Sequence, residues 1–369
     1  MIYILEAQYC VYQFKMKLLS LIILPTLTSL CLARSWNDTG VGTIVFEEAW
    51  TTLEMNTGGV APPVGQTSDE LSANLLDVHN QRLRQMDENG IDFMVLSCAS
   101  PCIQGISDPK IAAEMAVNVN NQLAAQIANN TLRFGGFAAL SMHNPTEAAL
   151  ELNRTVKELG FFGALVNDYQ QSGPDNDTLL YYDQPEYDVF WQMVTDLDVP
   201  VYFHPRVNVP TILDLLYANH AQWLIGPAQE FAVTLSTHIL GLCTNGVFDR
   251  FPSLKIIVGH LGERIPSDFI RIDDLLQRQR LLGMPMQRNI TDYWQTNLFE
   301  TTSGNFATNL LLFHREEIGL DRILYSIDYP YVTIQEATNW VNSLTNVLNP
   351  EELTRLRRGL AIELLKLND

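Results

Sequence analysis

The sequence predicts an α/β fold, a distorted TIM (β/α)8 barrel that forms one domain. Beyond residue 41, short β-type runs alternate with helix-type stretches eight times, and such alternation is typical of a parallel sheet. Several of the β-type runs are continuously apolar, as strands buried on both faces are. Eight units over about 320 residues fit a barrel with insertions.

Each predicted strand is a short run rich in apolar or β-branched residues. In chain order they are Thr43–Phe46, Ile91–Leu96, Phe134–Ala138, Ala164–Val166, Val201–Phe203, Lys255–Val258, Asn297–Phe299 and Ile323–Ser326. Helix signals lie between them: Asp108-Pro109 is an N-cap followed by proline, and Gly90 and Gly160 lie where C-caps belong. No Gly-x-Gly-x-x-Gly follows the first strand, which disfavours a dinucleotide-binding sheet.

The N-terminus has the layout of a secretory signal peptide over residues 1–33. Lys15-Met16-Lys17 is basic, Leu18 to Leu32 is almost wholly apolar, and the segment ends in the small residue Ala33. The apolar run is shorter than the roughly twenty residues that span a membrane. We therefore expect a secreted protein with no stable membrane insertion, whose leader starts at Met1 or Met16. The catalytic domain then covers residues 42–369.

The sequons and cysteines bear on the same expectation. Five Asn-x-Ser/Thr sequons, typical of a glycoprotein, begin at Asn37, Asn129, Asn153, Asn176 and Asn289. Outside the leader only Cys98, Cys102 and Cys243 remain, which is no disulfide scaffold. Buried thiols are the favoured interpretation, and a Cys98–Cys102 bridge is the alternative.

The composition excludes some classes of partner. Hydrophobic residues make up 47% of the chain, which is ample for a core. The net charge is −19. Because nucleic acids are bound by clustered Lys and Arg, we expect no nucleic-acid partner.

Polar residues stand at the ends of several predicted strands. Glu47 follows the first strand, His204 the fifth, His260 the sixth and Asp328 the eighth. In barrels the active site is built at the carboxyl ends of the strands. A Glu, a His and an Asp from three strands suit a divalent metal with open positions for water and substrate.

Several ordered motifs resemble one family. They are Glu47-Glu48-Ala49, Gly163–Asp168, His204-Pro205-Arg206, Thr244–Arg250, Gly259–Glu263, Thr301–Gly304 and Ile323–Pro330. Together they resemble the metal-dependent decarboxylase branch of the amidohydrolase superfamily. Its fungal 2,3-dihydroxybenzoate decarboxylases look nearest, and γ-resorcylate, salicylate and 6-methylsalicylate decarboxylases are relatives.

The resemblance implies roles for particular residues. Glu47, His204 and Asp328 match the metal ligands, and His238 matches the catalytic histidine. Many relatives carry a second ligand histidine two residues after the first Glu. This chain has Ala49 at that position, and so it resembles the fungal dihydroxybenzoate enzymes there. The remaining donors suit Mg²⁺ or Mn²⁺ better than Zn²⁺. The family also implies a homodimer or homotetramer.

The resemblance further implies a small aromatic hydroxy-acid substrate. The segment from Thr51 to Pro63, beside the expected site, departs in sequence from close relatives, so the identity of the aromatic acid stays open. Direct loss of CO₂ would leave an aryl anion, so protonation of the ring carbon must come first, assisted by an ortho hydroxyl. Asp328 is the candidate proton donor, with His238 as its partner.

Other interpretations compete with each of these assignments. Glu48 is expected to form a salt bridge, and His260 is expected to fix a loop. Arg206 and Arg250 either bind a substrate carboxylate or form structural ion pairs. The alternative function is a metal-dependent hydrolase of an amide or lactone. The motifs Glu47-Glu48-Ala49 and Asn167-Asp168 count against it, because binuclear hydrolases of this type carry His-x-His and a bridging lysine there. A binding protein that has lost catalysis is the third class, but it would be expected to lack one of these site residues.

Overall fold

A computed structural model describes residues 42–56 and 62–368 of the chain. The predicted leader, the Asn37 sequon and part of the segment Thr51 to Pro63 lie outside the described residues. Within them, no helix is both long and apolar enough to cross a bilayer.

Eight parallel strands form the barrel, and a short antiparallel hairpin is inserted among them. The barrel strands are β1 (Thr43–Trp50), β2 (Ile91–Cys98), β3 (Phe134–Gly136), β4 (Ala164–Asn167), β7 (Val201–His204), β8 (Ile256–Val258), β9 (Leu298–Thr301) and β10 (Ile323–Leu324), and the hairpin is β5 (Gln170–Ser172) and β6 (Thr178–Leu180). They pair as β1-β2-β3 and β4-β7-β8-β9-β10. A parallel bridge between Ala138 and Ala164 connects the two groups.

The barrel closes between β10 and β1 largely through one side chain. The Ser326 hydroxyl accepts from the backbone N–H groups of Phe46 and Glu47 at 3.1 and 2.9 Å. The Ala49 N–H donates to the Tyr329 carbonyl at 2.7 Å. Ser326 thus supplies the hydrogen bonds that a longer β10 would otherwise provide.

All eight predicted strands are present, with different ends. β1 continues past the predicted end at Phe46 to Trp50, and β10 stops at Leu324. The hairpin β5–β6 was not predicted, because each strand has only three residues, which is too short for an apolar pattern, and most of these residues are partly exposed.

The helices surround the barrel. They are α1 (Ser68–Leu76), α2 (Gln81–Asn89), α3 (Pro109–Ile127), α4 (Pro145–Leu159), α5 (Asp188–Leu197), α6 (Pro210–Leu216), α7 (Glu230–Thr244), α8 (Val247–Arg250), α9 (Phe269–Arg280), α10 (Ile290–Thr296), α11 (Thr308–Ile318), α12 (Ile334–Ser343), α13 (Pro350–Thr354) and α14 (Leu360–Leu364). The predicted caps are confirmed: Asp108 accepts from the N–H groups of Lys110 and Ile111. Gly90 and Gly160 end α2 and α4 in the left-handed conformation.

Two apolar layers hold the barrel together. One fills its interior with residues such as Phe46, Phe93, Tyr202 and Ile257. The other packs the outer faces of the strands against the helices. The strands are therefore buried on both faces, which explains their continuous apolar runs.

The cysteines differ from the favoured expectation. Cys98 and Cys102 form a disulfide across the turn that follows β2, where their Cα atoms lie 5.8 Å apart. The expectation of buried thiols is wrong for this pair, because the turn brings two cysteines four residues apart within bonding reach. Cys243 is a buried free thiol, as expected.

Candidate active site

The carboxyl ends of β1, β7 and β10 bring three of the predicted residues to one pocket. Glu47, His204 and Asp328 all line this pocket. They come from distant parts of the chain, and the parallel barrel places them at the same mouth.

Glu47 presents one carboxylate oxygen to this pocket and has the other held by hydroxyls. A bulge between Val45 and Glu48 interrupts the strand alternation and turns Glu47 inward after Phe46. Its Oε2 accepts from the hydroxyls of Tyr202 and Ser303. Its Oε1 is buried and accepts no hydrogen bond.

Two imidazoles point at that free oxygen. The Nε2 atoms of His204 and His260 each lie 3.2 Å from Glu47 Oε1. The opposite nitrogens are engaged: Nδ1 of His204 lies 2.6 Å from the Pro205 carbonyl, and Nδ1 of His260 lies 2.5 Å from Glu263 Oε1. An Nδ1 that donates leaves the Nε2 lone pair free, which is how proteins orient histidine ligands for a metal. An unpartnered carboxylate oxygen and two such nitrogens fit a divalent cation.

His260 reaches this position through an unusual turn. The backbone from His260 to Arg264 is left-handed at every residue, and such conformations are costly for residues other than glycine. Gly259 precedes the turn, and a Cβ there would lie 2.7 Å from Glu47 Oε2. The sequence indicated only that His260 follows an apolar strand, so it was expected to fix a loop. The structure instead places its Nε2 beside Glu47, in one cluster of ligand atoms with His204.

Asp328 lies close to His260. Its Oδ2 is 4.0 Å from His260 Nε2, and its backbone is also left-handed, with φ 79°. Glu47, His204 and His260 offer ligand atoms that all lie within 4.8 Å of one another. Asp328 borders this cluster from the side of His260.

The acidic and basic groups of the pocket shift one another's pKa. Burial alone would raise the pKa of Glu47, but His260 and His204 lower it overall, well below its ordinary value. Burial would lower the pKa of His260, yet the charges of Glu47 and Glu263 raise it overall. Burial and then the Glu47 charge raise the pKa of Asp328 well above its ordinary value. The pKa values of Glu47 and Asp328 are thus shifted in opposite directions.

The structure does not bring His238 to this pocket. Its Nδ1 lies 3.1 Å from Asp168 Oδ1, and its Nε2 accepts from the Tyr182 N–H at 3.0 Å. The side chain is fully buried and packs edge-on against Phe203. Both ring nitrogens are thus used by the protein. The residue beside Asp328 is His260, and a catalytic role for His238 stays a prediction.

The other polar candidates have structural partners. Arg206 donates to the backbone carbonyls of Gln104 and Tyr169, and Arg250 pairs with Asp188. Glu48 accepts from the Ser326 hydroxyl and from two backbone N–H groups that follow it, at 3.0 Å each. It holds the barrel seam, and burial raises its pKa to about 8 against these bonds.

The rest of the pocket is small and uncharged. Its lining is completed by Ala49, Ser97, Cys98, Ala99, Ser100, Leu165 and Tyr331. Ser100 donates to the Pro205 carbonyl at 2.9 Å and so connects the β2 turn to the segment after His204. None of the described lining residues is Lys or Arg.

Comparisons with known proteins agree with this geometry. The family model described as "Amidohydrolase" matches residues 77–367. The γ-resorcylate decarboxylase of a Polaromonas species is 42% identical over 332 residues, which cover 89% of this chain and 99% of that protein.

Two solved structures are similar over the same region. A dihydroxybenzoic acid decarboxylase from Polaromonas, with bound manganese and the inhibitor 2-nitroresorcinol, has a TM-score of 0.82 and 41% identity, covering 89% of this chain and 98% of that one. A 2,6-dihydroxybenzoate decarboxylase from Rhizobium has a TM-score of 0.81 and 39% identity, covering 89% and 100%.

Proposed function

The chain belongs to the amidohydrolase family, and from that premise we propose that it decarboxylates an ortho-hydroxylated aromatic acid without an oxidant. It is a metal-dependent carboxy-lyase, because its relatives are decarboxylases. Their names refer to γ-resorcylate, which is 2,6-dihydroxybenzoate. The observation that carries the proposal is the cluster of ligand atoms from Glu47, His204 and His260, with Asp328 beside it. The pocket at this cluster has no Lys or Arg among its described lining residues.

The cofactor is one divalent metal ion. Glu47, His204 and Asp328 would hold it, as the sequence predicted, and His260 Nε2 faces the same point. The relative from Polaromonas binds manganese. With two carboxylates in the set, we favour Mn²⁺ or Mg²⁺ over Zn²⁺.

The charge of the pocket explains why a metal is needed for this substrate. The Glu47 carboxylate repels an aromatic carboxylate, and no Lys or Arg among the described lining residues attracts it. When bound, the metal supplies the positive charge that holds the substrate carboxylate and lowers the pKa of the ortho hydroxyl. Substrate binding, and not only turnover, is therefore expected to require the metal.

Asp328 is the proposed proton donor. Its carboxyl group delivers a proton to the ring carbon that bears the carboxylate, and a carbon–hydrogen bond forms there. The carbon–carboxylate bond then breaks, its electron pair returns to the ring and CO₂ leaves. Solvent restores one proton to Asp328 for each turnover. A positioned acid of this kind contributes about 10²–10⁴-fold to a rate.

His260 is proposed to position Asp328, because its Nε2 faces the metal position and carries no proton to transfer. It lies 4.0 Å from the carboxylate, and Glu263 fixes its ring. The resemblance assigned this part to His238, whose nitrogens are both occupied elsewhere. Comparison of variants at the two positions decides between them.

A direct experiment separates this function from the hydrolytic alternative. Purified protein with Mn²⁺ is given 2,6-dihydroxybenzoate, 2,3-dihydroxybenzoate and salicylate, and in parallel a set of esters and lactones. CO₂ release from a hydroxybenzoate, with no hydrolysis, supports decarboxylation. Hydrolysis alone supports the alternative. The residues Asn167-Asp168 after β4 disfavour it, because Asp168 binds His238 and no bridging lysine stands there.

We also propose that the protein is secreted and glycosylated. The leader 1–33 is the main support, and the Cys98–Cys102 disulfide is a second, since disulfides persist in oxidising compartments. The sequon residues Asn129 and Asn176 are exposed and accessible to a glycan. Asn289 is a poorer acceptor, because its side chain caps α10.

A homodimer or homotetramer is proposed as the assembly. Large apolar side chains are exposed in two regions: Leu215 and Trp223 are 77% and 84% exposed, and Leu281 and Leu282 are 89% and 81% exposed. Exposed apolar clusters of this kind are typical of protein–protein contacts. Sedimentation of the purified protein tests the assembly.

A further inference from the structure

We propose that the Tyr331 hydroxyl recognises a second ring hydroxyl of the substrate and makes the pocket selective for 2,6-dihydroxybenzoate over salicylate. This inference rests on the proposed decarboxylation. It concerns a lining residue of the pocket to which no role has been assigned above.

The backbone after β10 carries Tyr331 to the pocket. The Val332 N–H donates to the Asp328 carbonyl at 2.9 Å and closes a turn over the three residues between them. Tyr331 lies in this turn, is half-buried and lines the same cavity as Glu47, His204 and Asp328. Its ring therefore stands beside the space that the substrate ring must occupy.

The Tyr331 hydroxyl is free to bind a ligand. Over residues 42–56 and 62–368 it makes no hydrogen bond with the protein, whereas the Ser100 hydroxyl in the same lining is used by Pro205. A half-buried phenol without a partner in a substrate pocket is a specific recognition group.

The chemistry of the substrate indicates what this hydroxyl meets. The carboxylate and one ortho hydroxyl are required at the metal for decarboxylation. We place the remaining ring edge against the lining residues that are not assigned to the metal, which include Ala49, Ala99, Leu165 and Tyr331. Salicylate has only hydrogen on that edge, but 2,6-dihydroxybenzoate has a second hydroxyl that can pair with the phenol. A site that pairs a substrate hydroxyl discriminates strongly against an analogue without it.

The test compares kcat/KM for 2,6-dihydroxybenzoate and salicylate in the wild type and three variants. For Tyr331→Phe we expect kcat/KM for 2,6-dihydroxybenzoate to fall by about 10–100-fold, and that for salicylate to change by less than about 3-fold. Tyr329→Phe is the matched control, because it removes a phenol hydroxyl only two residues away in the chain. Among the described residues the Tyr329 hydroxyl has no hydrogen-bond partner, and Tyr329 does not line the pocket. Its ratio should equal that of the wild type.

Other results overturn the inference. If Tyr331→Phe changes kcat/KM for both substrates equally, or for neither, the Tyr331 hydroxyl does not recognise the second ring hydroxyl. If Ser97→Ala changes the ratio and Tyr331→Phe does not, the recognising group is Ser97. A wild type that releases CO₂ from salicylate but not from 2,6-dihydroxybenzoate also contradicts the inference, while leaving decarboxylation intact. A wild type inactive on both acids contradicts the proposed function itself.

Discussion

Asp328 carries the chemistry at the scale of single residues. Asp328→Asn removes the transferable proton but keeps the size and one oxygen of the side chain. Turnover is expected to fall by about 10²–10⁴-fold, and part of the metal should remain bound. Initial rates together with metal content of the purified variant measure both effects. A variant that keeps its metal and its full rate would show that another group donates the proton.

The two histidine variants separate the sequence-based assignment from the structural one. His260→Asn should reduce turnover by about 10²-fold or more, since it removes the residue that positions Asp328. His238→Asn should cost about 1–3 kcal/mol of stability and leave turnover per folded molecule near that of the wild type. Melting temperature and ring-proton exchange with deuterated solvent are measured on both. The reverse pattern, with His238→Asn inactive and His260→Asn active, restores His238 as the catalytic residue.

The reason that the sequence pointed to His238 is visible at the same scale. Motif resemblance aligns a histidine but does not show which way its ring faces. His238 lies on α7 with its ring between Asp168 and the Tyr182 backbone. Tyr182 follows the hairpin β5–β6, which had no sequence signal. His260 depends on a run of left-handed residues, which no apolar periodicity predicts. In contrast, Glu47, His204 and Asp328 follow apolar strands, and their convergence was predictable.

At the scale of elements, the seam between β10 and β1 depends on Ser326. Ser326→Ala leaves two buried backbone N–H groups without an acceptor and removes a donor to Glu48. We expect a loss of about 2–3 kcal/mol of stability, read from urea unfolding. Ser343→Ala, at an exposed helix end, is the control and should stay within about 0.5 kcal/mol of the wild type. An unchanged Ser326→Ala variant would mean that the seam is held by backbone contacts alone.

The elements themselves were largely predictable, because strands buried on both faces leave continuous apolar runs. The residues at which the strands end were less predictable. β1 extends to Trp50 because a bulge lets the polar Glu47 and Glu48 remain in the strand, one facing the pocket and one facing the seam. Glu47 was therefore correctly predicted to lie in the site, but the end of β1 was predicted too early in the chain.

At the scale of the whole molecule, the leader 1–33 predicts that the protein is exported. Protein recovered from the medium should begin near Arg34 when its N-terminus is sequenced, because the basic and apolar segments end at Ala33. Treatment with a glycosidase should lower its mass. A full-length chain found only in cell extracts would rule out the leader and would make the sequons chance matches.

The account as a whole depends on one claim, that the pocket at the barrel mouth decarboxylates an aromatic acid with a divalent metal. The most direct measurement is CO₂ release from 2,6-dihydroxybenzoate by metal-depleted protein and by the same protein reloaded with Mn²⁺. We predict that the depleted protein neither binds nor turns over the acid, and that reloading with one ion per chain restores both. Equal CO₂ release with and without metal, or none in the reloaded protein, would contradict the account.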